Sequence, residues 1–235
     1  MSGYGKAIGI VLALGWIAQS AAWAADESGL KSRAHTVAIV SALGDRIYFQ
    51  PENVSLFDAY GVPSRILSGS GLDGVAVQAA AETLRADIPG VSIVTADIPR
   101  DRLVSAANEV YRTDKGAVEA VMASVKAWRE ANAVDLVVLL LPIESSLTDR
   151  PNTRMFFGMG VTWNEGAVLM QAVVLDGKTG DSLGNAEARA LSRLDVHFTK
   201  AAFLDPAPEA TAGLTNYMKA MLASTVPGLL HNAGL

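Results

Sequence analysis

The chain has 235 residues, of which 50% are hydrophobic and 18% are charged, and it contains no cysteine. These values exclude a collagen-like, coiled-coil or disordered protein, and the lack of thiols excludes disulfides, thiolate metal sites and lipidation at an N-terminal cysteine. A net charge of -5 without a basic block removes the attraction that nucleic-acid binding usually needs, so we expect no nucleic-acid partner.

The first 24 residues have the pattern of a secretory signal peptide. Lys6 precedes an apolar stretch from Ala7 to Ala18, and Ala22-Trp23-Ala24 places small side chains at the processing site. We therefore expect cleavage after Ala24, a periplasmic location, and contact with the membrane only transiently, through this leader. A retained N-terminal membrane anchor is the alternative, because residues 7–25 carry no charge and are just long enough to span a bilayer.

The chain after the leader begins with extended segments. Residues 25–34 are polar, and we expect them to be frayed. The β-rich run His35–Leu43, the turn signal Gly44-Asp45 and the extended run Arg46–Gln50 together predict a hairpin. The next segment, Pro51–Ser68, has no clear period, so a loop with a short extended piece is predicted there.

Two helices and two strands are predicted in the middle of the chain. Apolar residues recur at helical spacing from Leu72 to Ile88, and a strand follows at Val91–Ala96. A second apolar helical stripe covers Ala117–Ala131. The nearly continuous apolar run Val134–Leu141 is typical of a central strand buried on both faces. Strand, helix and strand in succession predict a right-handed crossover and a parallel pair of strands.

The last third of the chain predicts an antiparallel meander and a closing helix. Extended runs at Thr153–Trp163, Ala167–Leu175 and Ser182–Leu191 are joined by glycine-containing turns. Helical spacing then covers 209–233, where Pro227 is expected to break or kink the helix. The predicted fold class is α/β, mixed α+β: one domain over 25–235 with a single mixed sheet, a β-α-β crossover, the meander, and helices packed on the sheet.

A glycine-rich motif is the sharpest candidate for a ligand site. Gly69, Gly71 and Gly74 form a G-x-G-x-x-G pattern that leads into the first helix, and Asp97 follows the next strand at about the spacing of a ribose-binding carboxylate. Dinucleotide binding would need a strand aimed at these glycines, and Ile66-Leu67 supplies only a stub of one. The other interpretation is a loop that caps the helix.

No other residues form a catalytic or metal-binding pattern. Ser70 lacks the glycine spacing of a nucleophile elbow. Pairs of carboxylates such as Asp97 with Asp101 lie in polar stretches typical of a solvated surface. The three histidines are far apart in sequence and have no metal-ligand spacing; they are His35, His197 and His231. We therefore expect no enzyme activity, no cofactor and no metal.

An aromatic run in the meander has two interpretations. Phe156, Phe157 and Trp163 lie in an extended segment, with Gly158 and Gly160 between them. Packing in the core is the usual role of such residues. The alternative is a partner surface, since glycines in a strand allow another backbone to approach closely.

Two motifs resemble segments of known envelope-protein domains. Ala133-Val134-Asp135-Leu136-Val137-Val138 leads into the central strand, and residues 173–180, VVLDGKTG, form a strand and a turn. With the order of elements, they resemble the TolB N-terminal domain, the periplasmic domain of the curli secretion channel and the lipoprotein activators of penicillin-binding proteins. The resemblance covers roughly Thr36 to Leu191. It implies a mixed-sheet domain that acts by protein contact and has no catalytic centre.

This sequence also departs from those families. It has no lipobox cysteine, its late turn reads Asp-Gly-Lys-Thr-Gly, and no β-propeller repeats follow. Anchoring and partner identity are therefore not carried over. The resulting expectation is a non-enzymatic periplasmic domain that binds another envelope protein or associates with itself. The alternative is a small-molecule or nucleotide-binding protein that uses the loop Gly69–Gly74.

Overall fold

A computed structural model describes residues 29–51, 65–69, 71–96, 98, 115–142, 155–159, 164–194 and 208–235. In these ranges the chain forms eight strands and three helices, in the order β1 Thr36–Ser41, β2 Arg46–Pro51, β3 Arg65–Ser68, α1 Leu72–Asp87, β4 Ser92–Thr95, α2 Lys115–Ala131, β5 Leu136–Pro142, β6 Met155–Met159, β7 Asn164–Asp176, β8 Ser182–Leu194 and α3 Pro208–Asn232. The segment predicted to be a signal peptide lies outside the described residues.

The eight described strands form one mixed sheet that is five strands wide. Each of the five positions across the sheet, here called a track, holds either one strand or two strands that lie end to end. On one side, β7 pairs with β8 in antiparallel register. On its other side, β7 pairs with β6 near its start and with β5 near its end, so β5 and β6 lie end to end in one track. The next track holds β1 and β2, which are parallel to β5 and β6 respectively. The last track holds β4, parallel to β1, and β3, antiparallel to β2.

The hairpin predicted between His35–Leu43 and Arg46–Gln50 is wrong. β1 pairs with β4 and β5, whereas β2 pairs with β3 and β6, so the two strands follow one another instead of lying side by side. The turn signal at Gly44-Asp45 carries only local information. Strands distant in sequence give β1 a hydrogen-bonded neighbour on each edge, and this pairing satisfies its buried backbone groups.

The predicted fold class is confirmed, but the parallel pair predicted for the strands before and after α2 is wrong. β4 and β5 are parallel to the same strand and are separated in sequence by α2, but they flank β1 instead of pairing with each other. The predicted meander is present as β6, β7 and β8, each antiparallel to the next.

Helices cover both faces of the sheet. All seven residues of β5 are buried, as expected for a central strand that is covered on each side. Its even-numbered apolar residues, including Leu136 and Leu140, belong to an apolar cluster with α1 and α3. Its odd-numbered residues, including Leu139, belong to a second cluster with Val125 of α2. The strand backbone divides the two clusters, because successive side chains point to opposite faces.

The two ends of the described chain meet. Residues 29–33 form a helical turn, so the frayed state expected for this segment is wrong over that part of it. Leu30 is buried, and its Cδ1 atom lies 3.0 Å from the position of a Cβ built on Gly234. The helix predicted over 209–233 is present as α3, which continues through Pro227, so the helix is not broken there and a kink at that residue stays a prediction. Among the described helices, none combines the length and apolar character needed to cross a bilayer.

Candidate functional site

The two motifs that carry the resemblance lie together at one end of the sheet. Because β5 and β7 are antiparallel, Leu136 at the start of β5 pairs with Asp176 at the end of β7. This register brings Asp135 beside the turn that connects β7 to β8. We call the region formed by Arg33, Arg129, Asp135, Asp176 and Gly177 the closed end.

Asp135 joins the start of β1 to the central strand. Its Oδ2 atom accepts hydrogen bonds from the backbone N–H groups of His35, at 3.1 Å, and Thr36, at 2.8 Å. The backbone N–H of Asp135 in turn donates to the Thr36 carbonyl at 2.8 Å. These contacts satisfy the backbone at the start of β1, so the Asp135 carboxylate has a structural role.

Asp176 organises the turn after β7. Its Oδ1 atom accepts the backbone N–H groups of Lys178, at 2.8 Å, and Thr179, at 2.9 Å, and its Oδ2 atom lies 2.5 Å from Arg33 Nη2. The Thr179 N–H lowers the pKa of Asp176, burial of the carboxyl opposes that effect, and Lys178 and Arg33 lower the pKa further. The pKa of Asp176 therefore lies below its ordinary value of 3.8, and the group is a charged anchor of the turn.

Gly177 allows two backbones to come into close contact. Its N–H donates to the Asp135 carbonyl at 2.7 Å, and a Cβ atom at this position would lie 1.9 Å from the Val134 carbonyl oxygen. The carbonyl of Gly177 accepts a 3.1 Å hydrogen bond from Nη1 of Arg129, a residue of α2 that is only 7% exposed. Gly177, the first glycine of the Asp-Gly-Lys-Thr-Gly turn, is therefore required by packing, since no side chain fits there.

A shallow groove of about 640 Å³ opens beside the closed end. Its lining includes Arg129, Asp135, Gly177 and Lys178. Arg129 and Asp135 already bond to the main chain of the turn and of β1, so the groove is bordered by groups that hold the fold. Within the described ranges, no three His, Asp or Glu side chains are grouped so that they could hold a metal ion.

The glycine-rich motif forms the N-terminal cap of α1. Gly71 adopts a left-handed conformation, with φ 73° and ψ 20°, directly before Leu72. The backbone N–H of Leu72 donates to Oδ1 of Asp45 at 2.7 Å. A carboxylate of the chain itself thus accepts one of the N–H groups that would otherwise be available to a phosphate at this helix N-terminus.

The strands around this motif also differ from a dinucleotide-binding unit. Such a unit joins two parallel strands through its helix. Here the strand before α1 is β3, which within the described residues pairs with β2 alone and is antiparallel to it, and the strand after α1 is β4, which pairs with β1. Gly69 follows β3, and Gly74 lies in the first turn of α1. Asp97 lies outside the described residues. The described part of the motif favours the capping interpretation.

The predicted aromatic surface is placed only in part. Phe156 and Phe157 lie in β6, which pairs with β2 on one side and β7 on the other, so this strand has no free backbone edge. Trp163 lies outside the described residues. A role for Phe156, Phe157 and Trp163 in binding a partner stays a prediction.

The outer edge of β8 is a feature that the sequence motifs do not indicate. β8 has thirteen residues and pairs with β7, and no other strand of the described chain pairs with its opposite edge. Alternate residues are exposed on one face: Asn185, Glu187, Arg189 and Leu191. The residues between them, Ala186, Ala188 and Ala190, pack against the core cluster formed with α1 and α3. The period-two alternation of alanine with larger residues in NAEARAL is the sequence signal of this arrangement.

Comparisons with known proteins give likenesses of structure alone. No family model matches the chain, and no curated protein matches it. Among solved structures, a protein from Xanthomonas campestris has a TM-score of 0.42 at 8% identity, covering 83% of this chain and 81% of that one. PelC from Paraburkholderia phytofirmans, described as a dodecamer, has a TM-score of 0.36 at 13% identity, covering 86% and 89%.

A lipoprotein from Neisseria meningitidis has a TM-score of 0.32 at 10% identity, covering 79% of this chain and 98% of that one. At these TM-scores and identities, the likenesses transfer no function and no partner to this chain.

Proposed function

We propose that this chain is a non-enzymatic, exported domain of the cell envelope that acts by binding protein. The observation that supports this proposal best is the outer edge of β8, beside which the described residues place no strand. An unpaired edge presents a row of backbone N–H and C=O groups, to which another strand can be added. Natural proteins usually shorten or cover such edges, so a thirteen-residue edge strand is a candidate for contact with a partner.

The closed end supports the same proposal in a different way. Asp135, Asp176 and Arg129 are polar groups that the fold gathers at one place, and each of them bonds to the backbone of a neighbouring element or turn. Groups in that position stabilise strands and turns. The gathered carboxylates therefore have a structural use that accounts for their placement without any reaction.

Site-specific photo-cross-linking in cells tests the proposal. A cross-linking amino acid replaces the exposed Leu191 on β8, and the control variant carries it at Ala86, an exposed residue of α1. We expect the envelope fraction to contain the chain without its leader, cross-linked at position 191 to a protein identified by mass spectrometry, and not cross-linked at position 86. Recovery of the uncleaved chain from the cytosol, with no adduct at position 191, would contradict the proposal.

A further inference from the structure

We infer that the outer edge of β8 pairs in antiparallel fashion with β8 of a second copy of this chain, about a two-fold axis at Ala188. The inference rests on the proposed function and specifies the partner. Pairing of two β8 strands would join the two sheets into one continuous sheet. In a closed dimer of this kind, the same surface patch meets itself, so its residues must complement one another across the axis.

The charges of β8 meet that requirement. Glu187 and Arg189 lie on either side of Ala188 on the exposed face, and they contact each other at 3.4 Å within one chain. About 55% of the Glu187 side chain and 46% of the Arg189 side chain are exposed. An antiparallel pair centred on Ala188 places Glu187 directly opposite Arg189 of the second copy, and Arg189 opposite Glu187 of that copy. Opposite charges at such positions stabilise the pair, whereas like charges destabilise it.

The uncharged residues of β8 are also self-complementary. In the same register, Ala186 lies opposite Ala190 of the second copy, and Ala188 lies opposite itself. These small side chains belong to the face that packs against the core cluster of α1 and α3. Leu191, whose exposure of 47% stands out among the large apolar residues described, lies opposite Asn185 of the second copy and would lose water-exposed surface.

Other registers give a poorer match. A parallel pairing through the same edge would turn the second sheet over, so that Glu187 and Arg189 of one copy would lie on the opposite face from those of the other. An antiparallel pairing centred on Glu187 or on Arg189 would place that residue opposite itself, so that like charges face each other. A shift of one residue would place the exposed face of one strand against the packed face of the other, because side chains alternate along a strand. An antiparallel pairing centred on Ala190 would place Glu187 opposite Arg193, but it would pair only residues 186–194 of each strand. Charge and strand length together select the arrangement centred on Ala188, which pairs all thirteen residues of β8.

Charge-reversal variants test this pairing by analytical ultracentrifugation of the purified chain without its leader. Glu187→Arg places two arginines opposite each other at both symmetric positions, and Arg189→Glu places two glutamates there. We expect the dissociation constant of the dimer to be at least about tenfold higher for each single variant than for the unaltered chain. An equimolar mixture of the two single variants is expected to form heterodimers, since one copy then presents only arginine and the other only glutamate at the paired positions.

The double variant Glu187→Arg with Arg189→Glu is the matched control. It restores opposite charges across the axis with the same composition as the unaltered chain, and we expect it to dimerise as the unaltered chain does. Circular dichroism and thermal unfolding of every variant show whether the fold is kept. Dimers that respond to neither single variant would place the contact elsewhere and would overturn the inference.

A distance measurement tests the register independently. Because the chain has no cysteine, Asn185→Cys supplies one site for a spin label. In the proposed dimer the two labelled positions are six residues apart along the paired strands, which corresponds to about 20 Å between their backbones. A parallel pairing in register would give about 5 Å instead, and that result would rule out the proposed arrangement.

The outcome separates this inference from the proposed function. A chain that remains monomeric at every concentration overturns the dimer. The proposed function then still stands if cross-linking at Leu191 yields a different envelope protein, and it fails as well if that position yields no adduct in the envelope.

Discussion

The closed end and the outer edge of β8 lie in the same sheet, yet their polar side chains have different partners. At the closed end, Asp135 and Asp176 accept hydrogen bonds from backbone N–H groups of their own chain. On β8, the side chains of Glu187 and Arg189 are about half exposed, and they form an ion pair with each other. The charges of the first region hold elements together, whereas those of the second region face solvent.

This difference indicates where substitutions should affect stability and where they should affect binding. Removing a buried acceptor leaves its donors without a partner, which destabilises a fold by more than the hydrogen bond itself contributes. Changing a solvated charge on a strand usually has little effect on folding. Variants of the closed end should therefore unfold more readily, and variants of the β8 edge should fold normally and associate differently.

The largest expected effect follows from adding one methyl group at the closed end. Gly177→Ala would place its Cβ atom 1.9 Å from the Val134 carbonyl oxygen, so the turn has to move away from the segment that leads into β5. We expect the free energy of unfolding to fall by about 3 kcal/mol, measured by urea denaturation. Gly74→Ala is the control, because no atom lies within 4 Å of that Cβ position in α1. The control should stabilise the chain by about 0.5 kcal/mol, and equal losses in the two variants would contradict the packing argument.

A smaller effect is expected from neutralising the anchor of the β7–β8 turn. Asp176→Asn removes the charge that accepts the Lys178 and Thr179 N–H groups and faces Arg33. We expect the free energy of unfolding to fall by about 2 kcal/mol at neutral pH, measured by urea denaturation. Arg33→Ala should cost less than about 1 kcal/mol, because that side chain is 55% exposed. If Arg33→Ala lowered the free energy of unfolding more than Asp176→Asn, the Asp176 carboxylate would stabilise the fold mainly through its ion pair with Arg33 and not through the turn.

The loss of stability in Asp176→Asn should depend on pH in a direction that follows from the pKa of Asp176. The pKa of Asp176 is lowered in the folded chain from its ordinary 3.8, so its stabilising contribution is complete above that value and is lost as the pH falls through the folded pKa. The difference in unfolding free energy between the unaltered chain and Asp176→Asn should therefore shrink as the solution is acidified. A difference that stays constant down to about pH 2 would show that the carboxylate charge is not what stabilises the turn.

The smallest effect on stability is expected at the β8 edge. Glu187→Arg exchanges one half-exposed side chain for another, and we expect the unfolding free energy of the monomer to change by no more than about 0.5 kcal/mol. Unfolding is measured at a concentration low enough that the chain is monomeric. A loss as large as that of Asp176→Asn would remove the contrast between the two regions.

Burial explains why some elements are predictable from the sequence. The apolar run of β5 predicts a central strand because a strand covered on both faces has no position that must be polar. The helices α1 and α2 are predictable for the related reason that each presents a periodic apolar face. In contrast, the sequence of β1 and β2 predicts a hairpin that does not form, since local turn chemistry does not reveal that each strand has better partners far along the chain.

The candidate sites are less predictable because they depend on how distant segments meet. Asp135 and Asp176 are both visible within motifs, but only the antiparallel register of β5 and β7 shows that they serve the same end of the sheet. The requirement for Gly177 likewise depends on the Val134 carbonyl, which belongs to a segment much earlier in the chain. The sequence of β8 predicts a strand, whereas only the topology of the sheet shows that no described strand lies beside its outer edge.

The docking of residues 29–33 has a consequence for orientation. Arg33 pairs with Asp176 and Leu30 packs beside Gly234, so the described chain starts at the closed end. Residues 25–28 separate it from the predicted leader, and a stretch of that length reaches at most about 14 Å. In a chain that kept its leader as an anchor, the closed end would thus face the bilayer at short range, and β8, which begins at Ser182 beside Leu175, would run away from it.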